Sequence, residues 1–221
     1  MKKFFDKHNA FWREKRFLIS VIFGLFLLVG SLYVNSLANS YATTRASNAV
    51  TDILLDNLPT INVDLIYSDG AMFFLMILAL VLFHEPRRIP FAIKSIALFI
   101  FVRSVFMILT HIAPPLNGSS LDVDEFINKL SSGDDLFFSA HTGLPFLFVL
   151  IFWDESYLRY FFISSTIIGA ATVILGHLHY SIDVFSALFI AFGIFHIAKV
   201  FFRKDHEIMK PERSSSRTVT A

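Results

Sequence analysis

The sequence predicts an all-α polytopic membrane protein, a bundle of six transmembrane helices with both termini cytoplasmic. Hydrophobic residues make up 55% of the 221 positions and include 27 Phe, while charged residues are 17%. A soluble domain of this length mixes its charges along the chain, whereas here they are bunched between long uncharged runs. Each run approaches the roughly 20 apolar residues needed to cross about 30 Å of hydrocarbon. Lys and Arg are also distributed so that six spans, and not five or seven, place every basic segment on one face.

The elements follow in order. Residues 1–16 are a basic N-terminal segment with Lys2, Lys3, Lys7, Arg13, Lys15 and Arg16. The apolar run 17–33 comes next. It is long, its basic leader is extended, and no clean small-residue site ends it, so a retained first helix is expected rather than a cleaved leader. Residues 35–69 form a polar connector with Asp52, Asp56, Asp64 and Asp69 against the single Arg45. Further spans are predicted at 67–83, 89–112, 137–153, 158–175 and 182–202, giving a membrane catalytic domain over 17–202. Between the second and third, His84-Glu85-Pro86-Arg87-Arg88-Ile89-Pro90 carries two prolines and reads as an interfacial turn. The tail 203–221 is basic and Ser-rich and is expected to be disordered and cytoplasmic. No internal repeat is present.

With no Cys, disulfides, thiolate metal sites and a thiol nucleophile are excluded. The net charge of +1 gives no reason to expect a nucleic-acid partner; the partner the composition demands is the bilayer. The basic segments place the connectors after the first, third and fifth spans on the non-cytoplasmic side.

Three places interrupt the apolar pattern with groups that are costly to bury in lipid. Gly133-Asp134-Asp135-Leu136-Phe137-Phe138-Ser139-Ala140-His141-Thr142-Gly143 opens the fourth span. Gly176-His177-Leu178-His179-Tyr180-Ser181-Ile182-Asp183-Val184 opens the sixth. Arg103 lies inside the third, with Thr110 and His111 near its end. All fall in one non-cytoplasmic layer. His179 and Asp183 are four apart, so on a helix they share a face. The carboxylate would fix the imidazole tautomer, stabilise the cation formed on attack and leave the other nitrogen as an oriented lone pair. Arg103 and Thr110, seven apart, share a stripe, and an inward guanidinium there is matched by a phosphate. His141 would protonate a leaving oxygen. These groups make a phosphoryl-transfer set that requires neither a metal nor a cofactor. Arg103 pairing with Asp134, Asp135 or Asp183 is the structural alternative, and Asp134 and Asp135 fit helix caps as well as substrate contacts. Ser139 reads as a hydrogen-bonding support. His8, His84, His111, His177 and His196, taken singly, read as interfacial residues. Intramembrane Arg and His also mark ion paths, but inverted repeats and Gly/Pro-broken helix pairs, the supporting signs of a transporter, are missing. A non-catalytic lipid-binding relative is the other alternative.

Ser139-Ala140-His141-Thr142 with Gly133-Asp134, and His179-Tyr180-Ser181-Ile182-Asp183-Val184, resemble the paired motifs of the sphingomyelin synthase-like family within the lipid phosphate phosphatase (type 2 phosphatidic acid phosphatase) superfamily. Arg103, Thr110 and Pro114-Pro115 look like that family's third-helix motif. Asp52-Ile53-Leu54-Leu55-Asp56-Asn57-Leu58-Pro59 looks more weakly like its first external loop. The resemblance covers about residues 50–200. It implies His179 as nucleophile on a lipid phosphodiester, Asp183 as its orienter and His141 as acid and then base. It further implies Arg103, Ser139, Thr142, Tyr180 and Asp134 as substrate contacts. Departures are Ser132 where the family has Cys and Ala140 where it has Gly, the latter narrowing the space beside the imidazole. Thr172-Val173 stand where ordinary phosphatases carry Ser-Arg, which favours the synthase-like branch. The implied substrates are phospholipids or sphingolipids, with transfer to a lipid hydroxyl or, in a phosphatase or phospholipase, to water. The expected location is the plasma (bacterial inner) membrane, with the site facing the non-cytoplasmic side.

Overall fold

The structure is a computed structural model and describes residues 8, 10–115, 118 and 137–210. Its helices are α1 (Lys15–Arg45), α2 (Gly70–His84), α3 (Ile89–Leu109), α4 (Ala140–Ile151), α5 (Ser156–Leu175), α6 (Ser181–Phe201) and α7 (Arg203–Met209). A π-helical turn, Leu65–Asp69, leads into α2, and a 3-10 turn, Pro86–Arg88, leads into α3. Five stretches are long and apolar enough to cross a membrane: Lys15–Arg45, Leu65–His84, Pro86–Leu109, Ser156–Leu175 and Ser181–Phe201. Their outward faces carry Phe26, Val29, Phe73, Leu80, Ile167 and Phe189, all more than half exposed, the surface a hydrocarbon solvent accepts.

Two of the expected spans differ from the sequence expectation. The fourth span, expected at 137–153, is the 12-residue α4, about 18 Å long at 1.5 Å per residue. Phe138 turns the chain at φ 23° and Ser139 is extended, so helical geometry begins only at Ala140. At the other end the Ile151 carbonyl is taken by the Arg88 guanidinium and the chain turns at Phe152. The first span, expected at 17–33, instead runs 31 residues to Arg45, so the polar connector begins at Ala46 and not at Asn35. Its buried residues, Phe17, Val21, Gly24, Ser31, Asn35, Ala38 and Ala42, fall at steps of three, four and seven, a single seam facing α3. Small residues on that seam let the backbones approach closely, which is how helices gain packing where lipid removes the hydrophobic drive. Asn35 Oδ1 also accepts Ser104 Oγ (3.3 Å) and Arg103 Nη1 (3.5 Å). A polar segment thus stays helical because α3 satisfies it.

The core between α3, α4, α5 and α6 is aromatic. Phe91, Phe99, Phe138, Phe148, Phe152 and Phe162 are buried together, in tilted and edge-to-face pairs such as Phe99–Phe138 at 5.3 Å and Phe148–Phe162 at 5.5 Å.

The bundle has two polar ends. At the Arg88 end, that side chain bonds Ile151 and Glu155, holding the turn before α3 against the turn after α4. There too, Lys94 Nζ donates to Asp205 Oδ2 (2.5 Å) and Ser20 Oγ (2.6 Å), and Ser20 donates to Asp205 Oδ1. This buried triad fixes α7 to α1 and α3. Disorder was expected from residue 203 onward, and the structure corrects this for Arg203–Met209. The Asp205 ion pair and the buried Met209 anchor one helical turn after another. The other end is built around His179.

Candidate active site

Helix α5 ends in a reversal that sets the position of His179. Gly176 N–H donates to Thr172 O, His177 N–H to Ile174 O and Leu178 N–H to Val173 O. His177 takes the left-handed conformation, φ 50°, which ordinarily favours Gly or Asn at a helix C-terminus. Its ring is held in turn, with Nδ1 3.2 Å from Thr60 Oγ1. The chain then enters α6 with Tyr180 as N-cap and Asp183 in the first turn. His179 therefore precedes the helix, and its spacing to Asp183 does not act through a shared helix face. Instead Asp183 reaches back, accepting the Tyr180 N–H on Oδ2 (3.1 Å) and placing the same oxygen 3.5 Å from His179 Nδ1. The His179 side chain is 1% exposed.

The α4 motif meets the α6 motif through the backbone. Ser139 N–H donates to the Asp183 carbonyl (3.2 Å), and the neighbouring Phe138 carbonyl accepts Arg103 Nε (3.2 Å). The chain Arg103–Phe138–Ser139–Asp183–His179 thus links α3, α4 and α6. In this structure Arg103 braces the start of α4. Thr110 is the extended residue that ends α3, so the expected Arg103–Thr110 stripe does not form. Ser139 contributes its backbone; its hydroxyl makes no hydrogen bond among the described residues. Tyr180 is a tether: its hydroxyl donates to Ala113 O (2.9 Å) and accepts Val50 N–H (3.2 Å), pinning two connectors to α6. Asp134 and Asp135 lie outside the described residues.

His141 is in the first turn of α4. Two neighbours that the motifs did not disclose confine it. The Tyr67 ring stacks on its imidazole at 4.1 Å and 26°, presented by the π-helical turn, a local widening of the helix that often marks functional positions. On the α5 side, a Cβ built on Gly169 would lie 2.2 Å from the His141 carbonyl oxygen. Only glycine permits that approach. Gly169→Ala is expected to push α5 from α4 and lower stability by about 1–3 kcal/mol, the usual cost of overpacking. Reversible unfolding in mixed micelles checks this, and a wild-type midpoint in the variant would mean that α5 does not bear on His141.

Asp52 is the other residue that sequence reasoning left without a role, although the acidic connector around it stood out. Its carboxylate accepts Ser181 N–H (2.7 Å), Ser181 Oγ (2.8 Å), Leu54 N–H (2.9 Å) and Leu55 N–H (3.3 Å). It therefore caps α6 from outside, where an anion is favoured by the free N–H groups and the dipole. Partial burial raises its pKa, but the Ser181 and Leu54–Leu55 hydrogen bonds outweigh this and leave it below 3.8. An Asp with a depressed folded pKa contributes stability above its unfolded pKa, and that contribution is lost as pH falls through the folded value. The connector is thus expected to stay clamped at neutral and mildly acid pH. Carboxyl ¹³C titration of Asp52 should give a midpoint below 3.8, and Asp52→Asn should speed proteinase K cutting within 53–59 at pH 7. Unchanged cutting would mean that the clamp does not hold the connector.

Several buried polar atoms at this end have no hydrogen-bond partner among the described residues: both His179 ring nitrogens, His177 Nε2, Ser139 Oγ and Thr142 Oγ1. Buried polar groups are otherwise almost always paired, so such a concentration suits a polar ligand. Among the described residues, no His, Asp or Glu side chains gather as a metal-ligating set of three or more.

A comparison with protein families bears on this same end of the bundle. Residues 133–200 match the family model described as PAP2 superfamily C-terminal, a sphingomyelin synthase-like domain of a superfamily of phosphatases and phosphotransferases. The matched segment, less than half of the chain, contains Ser139, His141, Thr142, His179, Tyr180 and Asp183. No curated protein and no solved structure matches the chain.

Proposed function

We propose that the protein is a lipid phosphotransferase that moves a phospho-headgroup through a phosphohistidine to a lipid hydroxyl, at the non-cytoplasmic leaflet of the plasma (bacterial inner) membrane. The observation that carries this reading is the Ser139–Asp183 backbone bond, which brings the two histidine motifs into contact beside Asp183 and the orphaned His179 ring. Asp183 faces Nδ1, so Nε2 is the nitrogen that presents its lone pair. In the first step Nε2 bonds to phosphorus and the P–O bond to the lipid alkoxide breaks, with His141 giving that oxygen its proton. The positive charge on His179 is balanced by Asp183. In the second step the acceptor hydroxyl loses its proton to His141, its oxygen bonds to phosphorus and the P–N bond breaks. Thr142 and Ser139 offer hydroxyls to the phosphoryl oxygens. Asp134 remains a proposed substrate contact. Arg103 holds the segment that carries them, and it remains a proposed phosphate contact.

With the short α4 counted as the sixth crossing, running from the histidine end at Ser139 to the Arg88 end at Ile151, six passes put both termini on the side of Arg87, Arg88, Arg203 and Lys204, cytoplasmic by the positive-inside rule. The histidine end then faces outward. The test is turnover by purified protein in nanodiscs with labelled phosphatidylcholine, phosphatidylethanolamine or phosphatidic acid, with ceramide or diacylglycerol, in EDTA. Headgroup transfer to the lipid hydroxyl is expected to persist in EDTA. Release to water alone would make the enzyme a hydrolase, and neither transfer nor release from folded protein would remove the catalytic reading.

A further inference from the structure

A second polar site lies at the opposite end of the bundle. Between the C-terminal ends of α4 and α6 and the short α7 is a cavity of about 350 Å³, within the size range of small-ligand pockets. Its walls are of two kinds. Leu150, Phe192 and Phe195 form an apolar side, and Arg88, His206 and Lys210 form a polar one with two cations. Arg88 is 2% exposed; its two terminal nitrogens are used by Ile151 and Glu155, while its buried Nε has no partner among the described residues. Burial first, and then Lys210 and Lys199 against Glu207, lower the His206 pKa from its ordinary value, so at pH 7 its imidazole lines the cavity as a neutral hydrogen-bonding group. Asp154 also lines it, a single acceptor among the cations, and Trp153 stands at its edge, half exposed.

A buried Arg88 Nε without a partner among the described residues, the exposed Lys210, an apolar wall and an interfacial Trp together match one class of ligand. We infer that this cavity binds the phosphate of an anionic phospholipid, with its glycerol or similar hydroxyl donating to Asp154 and its acyl chain along Phe192 and Phe195. The site is independent of the histidine end and requires no turnover there.

The chain has two Trp, so Trp12→Phe leaves Trp153 as a single reporter at the cavity. In phosphatidylcholine nanodiscs at equal mole fraction of label, bromoacyl phosphatidylglycerol is expected to quench Trp153 at least twofold more than bromoacyl phosphatidylcholine. The Arg88 side chain is too embedded to remove cleanly, so His206→Gln with Lys210→Gln is the informative variant. It should abolish the preference while leaving the unfolding midpoint and the phosphatidylcholine signal unchanged. Relief of quenching by millimolar glycerol 1-phosphate would support the phosphate site and assign it to a soluble ester. Lack of relief would assign it to the lipid. Equal quenching by the two lipids, or a preference that survives the double substitution, overturns the inference.

Discussion

His179→Ala is expected to reduce headgroup transfer by about 10³-fold or more, because removing a nucleophile removes the covalent route and leaves only binding and electrostatics. The fold should survive. His179 makes no hydrogen bond through its ring among the described residues, so truncation strands only the Asp183 carboxylate, which keeps the Tyr180 N–H. The comparison that separates chemistry from architecture is Asp183→Asn. It retains shape and should lower kcat while phosphorylated His179 becomes harder to form, since the carboxylate that balances the imidazolium is gone. Acid-quenched labelling with a headgroup-labelled lipid should trap ³²P on the wild type and none on His179→Ala. Label retained by the alanine variant would move the nucleophile elsewhere.

Asp205→Ala carries the largest expected loss of stability. Lys94 is buried in the helix bundle, and its ammonium is held by Asp205 at 2.5 Å and Ser20 at 2.6 Å. Removing the carboxylate leaves a buried cation with one neutral partner, a change that typically costs about 3–5 kcal/mol. It also frees α7, whose attachment depends on that pair. Replacing both charges, Lys94→Met with Asp205→Leu, should recover most of the loss, because an apolar pair of similar volume removes the desolvation cost together with the attraction. Unfolding in mixed micelles distinguishes these outcomes. A single variant as stable as wild type would mean that Lys94 reaches water by another path, and a double variant as weak as the single would mean that the triad contributes more than charge balance.

Much of this molecule is legible in its sequence because the bilayer imposes a coarse rule. Long uncharged runs locate the helices, so the starts and ends of α2, α3, α5 and α6 fall within a few residues of the apolar runs. The histidine motifs are legible because polar groups in an apolar chain are costly and therefore conspicuous. Where the reading departed, a contact between distant segments was the cause. Asn35–Arg45 looks like a loop until Ser104 and Arg103 satisfy Asn35 and the Ala38–Ala42 seam meets α3. Residues 203–209 look like a tail until Lys94 claims Asp205. Tyr67 carried no local sign of its role, since stacking on His141 joins positions far apart in the chain.

The sequence by itself determined that the protein is helical and suited to a membrane, with polar chemistry gathered near the starts of two helices, since hydropathy and charge act locally along the chain. Tertiary structure alone decided how those starts meet. A left-handed His177 and a carboxylate reaching back from the first turn of α6 set the His179–Asp183 pair, in place of helix periodicity. The close approach of α5 at Gly169, the Tyr67 ring and the Asp52 clamp confine the site. Each of these is a long-range contact, specified by the shapes of two surfaces and so carried by neither segment alone.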